Sequence, residues 1–154
     1  MRRPSIACLV VAAVLAGATA ASAGECLGQP TQHKLTVHVS GVRQARGLMA
    51  VTLYPDIPGR FLAPKGKLAR ARPAATAPTS TTCFWLPAAG GYAVAVYHDA
   101  NGDRDFNRTL VGLPIEGYGF SNDAPTRTGL PAFKQARFQA ASSDTVIRIR
   151  IRYP

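Results

Sequence analysis

Tyr92-Ala93-Val94-Ala95-Val96-Tyr97-His98 is a run in which every side chain but the last is apolar or aromatic. It is too short for a helix of ordinary length, and Pro87 to Gly91 interrupt the chain immediately before it. An apolar run of this length, bounded by turn residues, reads as a central β-strand covered on both faces. It leads directly into the most unusual segment of the chain, H-D-A-N-G-D-R-D-F-N-R over residues 98–108. The fold therefore reads as a β-scaffold that presents a loop.

Upstream, Leu35-Thr36-Val37-His38-Val39 alternates apolar and polar side chains, the period of a half-buried strand. Gly47 to Tyr54 reads as a second strand, and the Gly41-to-Gly47 connection suggests a hairpin between the two. Residues 61–78 are irregular and basic, with a short edge strand expected around Leu68. Thr81 to Leu86 has the β-branched and aromatic composition of another strand. Downstream, a helical turn is expected at Ala132 to Gln135, then a short strand at Ala136 to Gln139. At the C-terminal end Ile147, Ile149 and Ile151 alternate with Arg148, Arg150 and Arg152. That pattern predicts an antiparallel strand with one wet face. The arginines either guard an edge or form an anion-binding face. No later segment shows extended helical spacing, and no internal repeat is present. The expected fold class is all-β: a single antiparallel β-sandwich of about seven strands.

The first 23 residues read as an export leader. Arg2 and Arg3 precede an apolar stretch from Ile6 to Leu15, and Ala21-Ser22-Ala23 offers a small-residue cleavage site. Cleavage near Ala23 predicts a periplasmic or secreted domain over residues 24–154, with no transmembrane anchor left after processing. Cys8 would leave with the leader. Cys26 and Cys83 remain, and an even count in an oxidising compartment predicts one disulfide.

The formal net charge is +10, yet five of the eight acidic residues fall between Asp99 and Asp123. Such a contrast places a cation-attracting segment on a cation-rich body. Counting from Asp99, oxygen-bearing side chains recur at every second position: Asp99, Asn101, Asp103, Asp105 and Asn107. Alternate spacing in a curled loop turns such oxygens toward one centre, as a hard cation such as Ca²⁺ requires. The rhythm matches the start of an EF-hand loop, with Phe106 at the inward apolar position. The match is incomplete, because Arg104 stands where the EF-hand has its sharp-turn glycine and Leu110 where it has its closing glutamate. Glu116 is the candidate sixth ligand, and Asn122 and Asp123 are further groups able to fold back. An Asx-rich turn with no ion explains the same residues, since Asp and Asn bond readily to nearby backbone amides. Both readings stand at this level. His98, Gly102, Tyr118, Phe120 and Asn122 are the candidate supports of the loop.

Two blocks now carry a resemblance: Y-A-V-A-V-Y-H-D-A-N-G-D and G-L-P-I-E-G-Y-G-F-S-N-D, residues 92–103 and 112–123. They resemble the bacterial exported-protein family catalogued as domain of unknown function 2141. His98, Asp99, Asn101, Gly102, Gly112, Pro114, Glu116, Tyr118, Gly119, Phe120, Ser121 and Asn122 stand on its motif. Arg104 departs where the family more often has glycine, and Asn107 where it has Asp. The resemblance implies an exported immunoglobulin-like or transthyretin-like sandwich and no established activity.

An enzyme finds little support. His98 beside Asp99 invites a general-base reading, but no nucleophile elbow, activated cysteine or H-E-x-x-H accompanies it. Nucleic acid is suggested by charge alone, and export argues against it. The sequence favours an exported binding or structural module of the cell envelope with a weak Ca²⁺ loop. Its partner would be an anionic envelope polymer, met by Arg148, Arg150 and Arg152, or another envelope protein. A transthyretin-like hydrolase is the enzymatic alternative.

Overall fold

The computed structural model describes residues 25–127 and 129–154. The leader read over residues 1–23 and its cleavage point lie outside the described residues. Among the described residues eight strands form two sheets: β1 (Lys34–Ser40), β2 (Leu48–Pro55), β3 (Ala69–Ala71), β4 (Thr79–Trp85), β5 (Gly90–Asp99), β6 (Tyr118–Phe120), β7 (Phe138–Ala140) and β8 (Thr145–Arg150). One four-residue helix, α1 (Phe133–Ala136), lies between β6 and β7. Among the described residues no helix is long and apolar enough to cross a membrane.

The smaller sheet has the order β4-β1-β8. Alternation on β1 turns Leu35, Val37 and Val39 inward, where they meet Phe84 of β4 and Ile149 of β8. The larger sheet has the order β3-β2-β5-β6, and β7 also pairs with β5. Its inner face contributes Val51, Leu53, Tyr92, Val94 and Val96 to the same core.

The outer face of this larger sheet explains why β5 reads apolar throughout. Tyr54, Ala93, Phe120, Phe133 and Ala136 form a second buried cluster there, joined by Phe61 and Leu62. Phe61 is its hub, with ring centroids 5.3 Å from Tyr54, 5.7 Å from Phe133 and 6.1 Å from Phe120. Edge-to-face packing of this kind adds about 0.5–1.5 kcal/mol per pair beyond area burial.

Two expectations need correction. The Gly41-to-Gly47 segment is no hairpin: both edges of β1 are taken by β4 and β8, so β2 has to join the facing sheet. The C-terminal strand is not antiparallel to its neighbour. β8 runs parallel to β1, with Val37 opposite Ile147 and Val39 opposite Ile149. The cause is positional. β7 pairs with the first residues of β5, and Leu35 pairs with Phe84 just before the short link from β4 to β5. A chain leaving β7 for the smaller sheet therefore starts beside Leu35 and travels with β1.

The outer side of β8 is closed locally. Asp123 Oδ1 accepts the Arg150 N–H at 2.7 Å, and Arg152 pairs with Tyr118 of β6 through two 2.9 Å backbone bonds. Cys26 and Cys83 form a disulfide. Beside it the Leu27 and Cys83–Trp85 backbones exchange hydrogen bonds of 3.0 and 2.9 Å, which protects the free edge of β4.

Along the other edge of β5, two short strands meet end to end. β6 pairs with Ala95–Tyr97 and β7 with Gly90–Tyr92. Between them the Ser121 hydroxyl takes the place of a strand. It accepts the Val94 N–H at 2.9 Å and donates to the Ala136 carbonyl, fully buried.

Candidate functional site

β5 carries His98 and Asp99 to the end of the larger sheet, and both are buried. Alternation sends them to opposite faces, and each anchors a different support. His98 Nε2 lies 2.7 Å from the Arg46 carbonyl oxygen, and Nδ1 lies 2.7 Å from the Tyr153 hydroxyl. A carbonyl can only accept, so Nε2 carries a proton. Both ring nitrogens are thereby occupied. The Tyr153 ring meets His98 edge-on at 6.0 Å, and Arg43 caps its face at 4.2 Å. Gly117 lies under that ring: a Cβ there would come within 2.5 Å of it. His98 therefore clamps the base of the loop to the Arg46 turn and to the C-terminal segment, and leaves no ring nitrogen for a substrate.

Asp99 organises the loop itself. Its two carboxylate oxygens accept the Gly102 N–H at 2.7 Å and the Arg104 N–H at 2.9 Å. Gly102 has φ +75°, and Arg104 adopts φ +69°. The arginine thus takes the left-handed conformation that the glycine of an EF-hand loop would supply. Its carbonyl is held by Arg72 at 3.0 Å and by the Tyr97 hydroxyl at 3.2 Å.

Asp103 is the acceptor at the centre. Asn101 Nδ2 donates to it at 2.8 Å, Asn107 Nδ2 at 2.9 Å and the Asp105 N–H at 2.9 Å. The Asn107 amide, the Asp105 N–H and the Asn101 amide hold the Asp103 carboxyl below its ordinary value. Glu116 reaches in from the segment just before β6 and accepts the Asn107 N–H at 3.0 Å. Burial pushes the Glu116 carboxyl up; the Asn107 N–H offsets part of the rise, and the negative charges of Asp99 and Asp103 add to it.

Hydrogen bonding therefore links Asn101, Asp103, Asn107 and Glu116, with Asp99 close enough to raise Glu116. Asp105 enters only through its N–H and is exposed. Asn122 and Asp123 serve other segments. Asn122, itself at φ +59°, donates to the Gln135 and Arg137 carbonyls at 3.2 and 2.7 Å, while Asp123 binds β8. Tyr118 supports the loop through Phe106, whose ring lies 5.6 Å from it and 5.3 Å from Tyr97. Phe120 sits one step away, in the outer aromatic cluster. Arg108 stacks over Phe106 at 5.1 Å instead of pairing with a carboxylate.

The donor set is hard oxygen, the chemistry of Ca²⁺. Among the described residues no three His, Cys, Asp or Glu side chains stand together as a metal group. A cation here would draw on carboxamide and carbonyl oxygens as well. Asn101 and Asn107 turn their nitrogens toward Asp103; a half-turn of each amide would exchange nitrogen for oxygen. The carboxylates of Asp99, Asp103 and Glu116 close the loop as a hydrogen-bonded turn.

Arg148, Arg150 and Arg152 are all exposed. Arg148 lies opposite His38 and Arg150 opposite Ser40. The Asp56–Arg137 ion pair, at 2.6 Å, involves none of them.

The model of a family described as an uncharacterized protein conserved in bacteria (DUF2141) matches residues 37–148, more than half of the chain. The matched span includes the entire loop and most of both sheets, beginning within β1 and ending within β8. No curated protein and no solved structure matches.

Proposed function

This chain belongs to the DUF2141 family of uncharacterized bacterial proteins, and from that premise we propose that it is an exported, non-enzymatic binding module of the cell envelope whose loop at residues 99–116 is ordered by Ca²⁺. The observation that carries the reading is the convergence of Asp99, Asn101, Asp103, Asn107 and Glu116 on one loop, with no cationic side chain bonded among them. Export is supported by the leader pattern and by the Cys26–Cys83 bond, a linkage that persists in oxidising compartments. The mixed donor set corresponds to an affinity on the order of 10⁻⁴–10⁻³ M, the range of extracellular modules.

Calcium at roughly ten times such a Kd should stabilise the protein by about 1.4 kcal/mol, visible as a rise in Tm. Substituting Asp99→Asn with Asp103→Asn keeps one acceptor oxygen at each position, removes the charge and should abolish the rise. A Tm that ignores Ca²⁺ in the unmodified protein would identify the loop as a plain Asx turn.

A second reading rests on Arg148, Arg150 and Arg152, exposed along β8 and just beyond its end in a +10 chain. It is a face for an anionic envelope polymer. Replacing the three together by Gln should make the protein elute from heparin at distinctly lower salt, because fewer cations then hold the polyanion against competing ions. Unchanged elution would return them to the role of edge guards.

A further inference from the structure

The outer face of the larger sheet holds a pit separate from the acidic loop. One row crosses four strands there: Arg70 on β3 lies opposite Thr52 on β2, Thr52 opposite Ala95 on β5, and Ala95 opposite Phe120 on β6. Thr52 and Ala95, the two central members, are the shortest. Tyr54 and Tyr97 stand two residues along the same strands, and Tyr118 two residues before Phe120, so large rings surround a low floor. The resulting cavity is about 180 Å³. Phe106 and Arg108 from the loop and Arg70 from β3 also line it.

The cations around this pit have no anion. Arg70 donates Nε to the Thr52 hydroxyl at 2.7 Å. Neighbouring Arg72 commits one nitrogen to the Arg104 carbonyl, and its buried Nε has no acceptor. None of Arg70, Arg72 and Arg108 makes an ion pair with the described residues. A guanidinium at an open pit with no carboxylate of its own is a ready partner for an arriving one.

We propose that the pit binds a small carboxylate carried on a single apolar ring. The ring would rest on Thr52 and Ala95 between Tyr54, Tyr97 and Tyr118. The carboxylate would face Arg70 and Arg108. Size favours one ring, since an apolar cavity of about 150 Å³ is enough to take up benzene. The planar guanidinium fork matches a carboxylate in geometry. Tyr97 already donates to the Arg104 carbonyl and Thr52 accepts from Arg70. Apolar ring faces make most of the wall, which favours a ring of carbons over a ring of hydroxyls.

The test is titration of the purified, ¹⁵N-labelled protein with benzoate, benzamide and galacturonate, followed by NMR. Benzoate should produce saturable shifts at Tyr97, Tyr118 and Phe120. Benzamide should bind roughly tenfold or more weakly, the effect of losing a charge-assisted contact. Arg70→Gln should weaken benzoate similarly, and Ala95→Leu, which fills the floor, should remove the shifts. Because Arg70 is half-buried on the edge strand β3, its variant remains informative if Ala95→Leu fails to fold. Absence of saturable shifts up to about 20 mM benzoate would overturn the proposal, since a Kd near 1 mM would be saturated there. Equal binding of benzamide, undiminished binding to Arg70→Gln, or tighter binding of galacturonate would overturn it as well.

Discussion

Replacing Cys26 and Cys83 together by serine is expected to lower the unfolding free energy by about 4 kcal/mol, the entropy of closing a loop of this length in the unfolded chain. The two cysteines are 57 residues apart, and between them lie β1, β2, β3 and most of β4. Without the bond, the unfolded chain regains freedom across both sheets. The folded state also loses the tether that holds Leu27 against the edge of β4. Tm should fall on the order of 15 °C for a domain of this size. Reducing the unmodified protein should reproduce the fall, and a loss below about 1 kcal/mol would mean that the noncovalent core holds β4 in place unaided. Scanning calorimetry with and without reductant makes the comparison.

Ser121→Ala should be almost as damaging, although it removes a single oxygen. Its hydroxyl serves Val94 N–H and the Ala136 carbonyl where β6 stops and β7 begins. Alanine leaves both groups buried and unpaired, at about 1–3 kcal/mol each. The expected loss is roughly 3 kcal/mol, with faster hydrogen exchange at Val94 and little change at Val37 in the other sheet. Val94 exchange as slow as in the unmodified protein would show that water or a shift of α1 replaces the hydroxyl. Denaturant melts supply the energy, and exchange supplies its location.

The particular features that the sequence disclosed were those written in local periodicity. β5 announced itself by composition, because the aromatic cluster on its outer face lets every residue be apolar. The Ile/Arg alternation of β8 identified which side chains face the core. The cysteine count identified the disulfide, and the two motif blocks the family. Direction and partnership were hidden. Nothing in T-V-I-R-I-R distinguishes parallel from antiparallel pairing, which follows here from where β7 releases the chain. The Gly41-to-Gly47 turn looked like a hairpin because turn chemistry does not reveal that both edges of β1 are occupied.

The loop was similarly half legible. Its alternate oxygens were plain in the sequence. The division of labour among them was not: Asp99 as backbone organiser, Asp103 as central acceptor, and Asn122 and Asp123 engaged elsewhere. Arg104 could be recognised as a departure from a glycine motif, but its left-handed backbone could not. Ser121 stood within the family block with no polar task visible, because its partners lie 27 and 15 residues away. The pit on the outer face depends on which residues share a row across four strands, a property no linear pattern encodes.

The pairing of β1 with β8 and the His98–Tyr153 clamp bear on how the molecule comes into being. Leu35 is paired with Thr145, and His98 is closed by Tyr153. A polypeptide emerging amino end first therefore cannot complete either arrangement until about 150 residues have passed the exit. During that interval β1 lacks its neighbour β8, and His98 lacks the hydroxyl that closes its Nδ1.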